Sequence, residues 1–173
     1  MSAKLPDKRT TDRIATMVES GLLRDDQFIP WADELVMSLQ EPPGWVLELC
    51  TTPYRPKAAA LLREYAAAPP FEPLDWQERG DDAVACFLLR YRRGELSWAT
   101  FLSEAGQALD ANDGTVPCEE LFEMLNDLER AEYSKDVECK QRAEVERTFR
   151  NALARIEPLY ATFMDYPRRV SPR

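Results

Sequence analysis

Residues Asp81–Gly94, "DDAVACFLLRYRRG", decide the fold class. The centre of the stretch, Ala83–Leu89, is apolar on every side. A helix with that profile belongs in the middle of a bundle. Asp81 or Asp82 is placed to start it, Arg90, Arg92 and Arg93 emerge where it leaves the core, and Gly94 ends it.

Helical spacing continues on both sides of this segment. Downstream, Ser97 is a cap for a helix with Trp98, Phe101, Leu102, Ala105 and Leu109 on one stripe. Pro117 then opens a helix whose Leu121, Leu125 and Leu128 face inward. Ser134 caps one last long helix carrying Val145, Phe149, Ala152, Leu153, Ile156 and Tyr160, with a bend expected near Pro158. Upstream, Asp12 caps a short helix with Ile14, Met17 and Val18 on one face, closed by Gly21. Another helix starts near Pro30, with Trp31, Leu35, Val36 and Leu39 in register, and Trp45–Cys50 makes a short buried one. An alanine-rich helix with Ala58, Leu61, Leu62 and Tyr65 stops at Pro69-Pro70. The expectation is an all-α, single-domain irregular bundle of about seven or eight helices, with a buried central helix near 81–93. Residues 1–10 read as a flexible tail, 11–166 as the domain and 167–173 as a basic tail. Any internal boundary falls in the proline-rich connection 69–80.

Composition limits the chemistry. The 173 residues contain no histidine. That removes Ser-His and Cys-His nucleophile pairs, histidine zinc sites and the Glu-x-x-His di-iron bundle. Cys50, Cys86, Cys118 and Cys139 are widely spaced with no CxxC, which favours free thiols of a reducing cytoplasm and small core residues over a disulfide framework. No apolar run approaches the roughly 20 residues that span a bilayer. The opening "MSAKLPDKRTTDR" has positive charge without the apolar core of a secretory signal.

Charge is concentrated. The formal net charge is −9, and residues 104–136 alone carry 10 acidic and 2 basic groups. At about 100° per residue, Glu119, Glu120, Glu123 and Asp127 share one helix face, away from the leucines. Such a field repels nucleic acid and anionic membrane and attracts a cationic partner.

The connector "LDANDGTVPCEEL", residues 109–121, resembles an EF-hand calcium loop. That loop wraps a hard cation with oxygens at positions 1, 3, 5 and 12 and turns on a glycine at 6. With Gly114 at position 6, Asp113 and Glu120 fit positions 5 and 12, but Leu109 and Ala111 fall at 1 and 3. With Asp110 at position 1, Asn112 fits but Thr115 and Leu121 do not. The stretch reads first as a turn of residues that tolerate left-handed backbone and cap helices. "EELFE" also carries the ExxE half of a magnesium-dependent nucleotide phosphohydrolase, with Glu78–Asp81 as its ExxD, in a loop-to-helix transition. "RYRRG" fits a phosphate or carboxylate, or simply a helix dipole.

The leading expectation is a small cytoplasmic protein, without cofactor and not an enzyme, that binds a basic protein partner through Asp110, Asp113, Glu119, Glu120, Glu123 and Asp127. Nucleic acid and membrane are not expected as partners. Acidic helical inhibitors of basic nucleases, such as bacterial immunity proteins, are similar in charge and fold class. The alternative is a divalent-metal protein, either the phosphohydrolase or a degenerate calcium loop using Asp110, Asn112, Asp113 and Glu120.

Overall fold

Helix formation begins earlier than the spacing predicts. In the computed structural model, which describes residues 5–112, 114–164 and 166, Asp7 and not Asp12 is the first cap. Its carboxylate accepts from the Thr10 N–H at 2.7 Å and the Thr10 hydroxyl at 3.1 Å. Helix α1 then runs Lys8–Glu19, so residues 8–10 are helix rather than tail. The cause is Lys8, which is buried, donates to the Tyr65 carbonyl and lies 3.7 Å from that ring's centroid. Asp12 is instead a buried ion-pair partner, 3.2 Å from Arg63, whose guanidinium also meets Glu19. Gly21, at φ 75°, ends the element as expected.

Three more helices follow: α2 (Asp25–Ser38), α3 (Gly44–Leu49) and α4 (Arg55–Ala67). Pro30 lies inside α2 rather than at its start. The chain enters that helix early because the Gln27 side chain accepts from the Arg24 N–H at 3.1 Å. α1 packs along α4, α2 against α3, and α3 against α4. Trp31 meets Phe163 edge-on at 5.4 Å, and Trp45 stacks on Tyr65 at 4.7 Å.

Five further helices complete the described chain: α5 (Trp76–Arg92), α6 (Trp98–Asn112), α7 (Cys118–Arg130), α8 (Lys135–Thr148) and α9 (Arg150–Ala161). α5 starts five residues before Asp81, because the Asp75 carboxylate accepts from the Gln77 and Glu78 N–H groups at 3.0 and 3.1 Å. Its Ala83–Leu89 segment is buried as the apolar run requires. The single long last helix of the sequence reading is two: the ladder kinks at Phe149, whose ring is buried. Pro158 sits within α9.

The structure is all-helical among the described residues, with nine helices and no strand. None of those helices is long and apolar enough to cross a membrane. The chain divides into two compact units, Met1–Leu74 with Pro158–Arg173, and Asp75–Glu157. In the second unit α5 packs on α6, α6 on α7, and α7 touches α8 over a short stretch. Asp82, almost fully buried, accepts from Arg155 at 2.8 Å. A buried carboxylate is tolerated only with such a partner.

The Asp7 cap sets a pH dependence. The Thr10 N–H bond holds the Asp7 carboxyl below its ordinary value of 3.8. A depressed folded value means the stabilisation is complete above about pH 4–5 and is lost as pH falls through the folded value. Asp7→Ala is expected to cost about 1 kcal/mol in urea unfolding at pH 7, and the difference from wild type should shrink towards zero in acid.

Candidate functional site

The connector between α6 and α7 is shaped by what presses on it. α6 ends at Asn112, whose side-chain amide donates to the Ala108 carbonyl at 2.8 Å. Asp113 lies outside the described residues. Gly114 then runs against Gly80 of α5 so closely that a Cβ on Gly80 would stand 2.7 Å from the Gly114 Cα. Beside this approach, Asp81 accepts from the Thr115 N–H at 2.9 Å and from its hydroxyl at 2.7 Å. Gly114 therefore serves close approach: a Cβ there would also meet the Leu109 side chain at 2.1 Å. Asp81, read from sequence as a helix start, is the clamp.

The described members of the calcium alternative do not converge. Asn112 is turned back on its own helix, while Asp110 and Glu120 are exposed on α6 and α7. Among the described residues no group of three Asp, Glu or Cys side chains is placed to hold a metal ion. The two halves of the phosphohydrolase pattern also serve different neighbours. Asp81 holds Thr115, Glu78 lies 4.0 Å from Arg155, and Glu120 and Glu123 point to solvent.

The acidic residues themselves stand outward. On α7, Leu121 and Leu128 are buried and Leu125 is half-buried, while Glu119, Glu120, Glu123 and Asp127 are all exposed. Against α6 the helix is held close, since a Cβ on Gly106 would lie 2.8 Å from the Phe122 ring. Glu119 and Glu120 occupy the first turn, where the helix dipole favours them. Among these carboxylates, Asp127 has an ion-pair partner, Arg130 at 3.2 Å. Cys118 Sγ lies 3.4 Å from Glu119 and 3.8 Å from Asp110; burial, then these carboxylates, push its thiol up.

A second feature lies at the ends of α5 and α7 and the starts of α6 and α8. It is an open groove of about 740 Å³, lined by Tyr91, Trp98, Leu128, Tyr133, Glu138 and Arg142 among others. The Tyr91 hydroxyl donates to Glu138 at 2.6 Å, and Lys135 reaches the other Glu138 oxygen at 2.8 Å. Lys135, then Tyr91, hold the Glu138 carboxyl below its usual range, while burial and then Glu138 raise the Tyr91 phenol. Below the groove, Trp98 Nε1 donates to Gln141 at 2.9 Å, and the Gln141 amide donates to the Met124 carbonyl at 2.7 Å. Of the "RYRRG" arginines, Arg90 and Arg93 both reach Glu95, and Arg92 lies 3.1 Å from Glu146.

α7 ends unusually. The Tyr133 N–H donates to the Leu128 carbonyl and the Glu132 N–H to that of Glu129, a Schellman closure. Glycine is the ordinary residue at its left-handed position, as Gly94 shows at the end of α5. Here Glu132 and Tyr133 take φ values of 50° and 58°. In the sequence Glu138 and Arg142 read as part of a mixed-charge helix face and Tyr91 as part of "RYRRG", and nothing there joins them to Tyr133. The available signal was a helix end, "ERAEYS", with no glycine.

Two other expectations need correction. Only Cys86 is a core cysteine; Cys50 and Cys118 are half-buried and Cys139 is exposed, and all four are free. Ser134 precedes α8 without a side-chain capping bond.

Three substitutions test this geometry. Replacing a helical glycine by alanine ordinarily gains up to about 1 kcal/mol, and Gly44→Ala, with nothing within 4 Å of the added Cβ, should be neutral or slightly stabilising. Gly80→Ala should instead lose roughly 1–2 kcal/mol in chemical unfolding, because overpacking against backbone outweighs the propensity gain. Glu132→Gly should raise stability by roughly 0.5–1 kcal/mol by removing left-handed strain, read as a higher melting temperature. Comparison with family models, curated proteins and solved structures finds no match to this chain.

Proposed function

We propose that the protein acts by binding a basic protein partner through the outer face of α7, in the cytoplasm, as a regulator or inhibitor rather than a catalyst. One observation carries the reading: Glu119, Glu120, Glu123 and Asp127 are all exposed on the side of α7 opposite its buried leucines. Asp110 is exposed at the neighbouring end of α6 and extends the same sign of charge. Exposed carboxylates add little to stability. What they supply is a field that steers a cationic surface and raises its association rate. The clamp of Asp81 on Thr115 supports the reading, because it fixes the start of α7 and spares a partner the cost of ordering it. The four free thiols support a reducing compartment.

The test is a variant with Glu119→Gln, Glu120→Gln, Glu123→Gln and Asp127→Asn together. Its melting temperature should match wild type. Its association rate with the partner captured from the source cell should fall by about 10–100-fold at low salt, with little change in dissociation. Capture that is indifferent both to these substitutions and to high salt rules the proposal out.

A further inference from the structure

The groove of Tyr91, Tyr133 and Arg142 has features that packing alone does not call for. Three cations line it, Arg92, Lys135 and Arg142, against two carboxylates, Glu138 and Glu146. Both carboxylates are engaged: Glu146 by Arg92 at 3.1 Å, and Glu138 by Lys135 and the Tyr91 hydroxyl. Arg142 is exposed and lines the groove with Tyr91, Glu138 and Glu146; it feels the charge of both carboxylates, but among the described residues no ion pair within 4 Å ties it to either. In a chain of net charge −9 this is a place where cations prevail. A guanidinium beside a phenol matches the paired oxygens of a carboxylate or phosphate.

The rest of the lining suits a flat apolar body. Tyr133 is 57 % exposed at the groove, on left-handed backbone (φ 58°) that L residues rarely adopt. Leu128 and Trp98, almost fully buried themselves, back the groove. The volume, about 740 Å³, falls in the range of small-molecule sites, roughly 300–1,000 Å³.

We propose that this groove is a binding site for a small aromatic molecule carrying a carboxylate or phosphate, the anion on Arg142 and the ring against Tyr133. The proposal is independent of the acidic face of α7, and the two stand or fall separately.

The experiment titrates the full chain with phenyl phosphate, benzoate and inorganic phosphate, following calorimetry and tryptophan fluorescence, since Trp98 lines the groove. Saturable binding of phenyl phosphate or benzoate is expected, and which of the two is tighter identifies the anion. Inorganic phosphate should be about tenfold weaker or more for want of the ring. Arg142→Gln should weaken binding about tenfold or more, and Tyr133→Ala should weaken it while Tyr133→Phe does not. Arg147→Gln, an equal charge change at an exposed residue of α8 outside the groove lining, should stay within about twofold. Both arginines are exposed, so melting curves should match wild type. Three results each overturn the proposal: no saturation with either aromatic probe by about 10 mM, a millimolar limit of weak affinity; inorganic phosphate as tight as the aromatic probes; or Arg142→Gln indistinguishable from Arg147→Gln.

Discussion

The second unit is organised by a place where two backbones meet with no side chain between them. Gly80 and Gly114 approach until a single methyl would not fit, and the neighbouring Asp81 fastens Thr115 by accepting from its N–H and its hydroxyl. Close approach of this kind is a use of glycine distinct from its conformational freedom. It ties the entry of α7 to the side of α5, and α7 then presents its leucines inward and its carboxylates outward. Gly106 repeats the device at the next contact, where the Phe122 ring lies over α6. The acidic face owes its position to these small residues rather than to anything acidic.

Much of the fold was legible because it depends on periodicity. Ala83–Leu89 is buried, and so are Trp98, Phe101, Leu102, Ala105 and Leu109, all from a stripe readable at 3.6 residues per turn. Gly21 and Gly94 end their helices at left-handed backbone, as glycine near a helix end suggests. The starts were harder. An aspartate near a helix N-terminus can cap it, pair with an arginine, or fasten a loop, and its sequence neighbourhood does not tell these apart. Asp7 and Asp75 cap, Asp12 and Asp82 pair with arginines, and Asp81 holds Thr115. Each misread start moved a boundary towards the N-terminus by several residues.

The outward placement of the α7 carboxylates was legible for the same reason as the core, being the other half of one amphipathic pattern. The groove was not. Tyr91 lies some forty residues before Tyr133 and Arg142, and no helical spacing links the three. The Lys135–Glu138 pair follows from i,i+3 spacing, but nothing local announces that Glu138 also takes the Tyr91 hydroxyl. The chain also departs from local preference at Glu132 and Tyr133, where left-handed backbone is occupied without glycine or asparagine. Conflicts between local preference and tertiary structure gather where something other than stability is being served.

Gln141 carries a consequence of its own. Its carbonyl oxygen receives the indole of Trp98 on α6, and its nitrogen gives to the main chain of Met124 on α7. Both ends of one primary amide are thereby assigned, and α8 is held in a single rotational phase about its axis. Glutamate would present an oxygen where Met124 requires a donor, lysine would present a donor where Trp98 requires an acceptor, and leucine would offer neither. Over long divergence, position 141 should drift far less than the exposed charges around it. Where it does change, the partner on α6 should change with it.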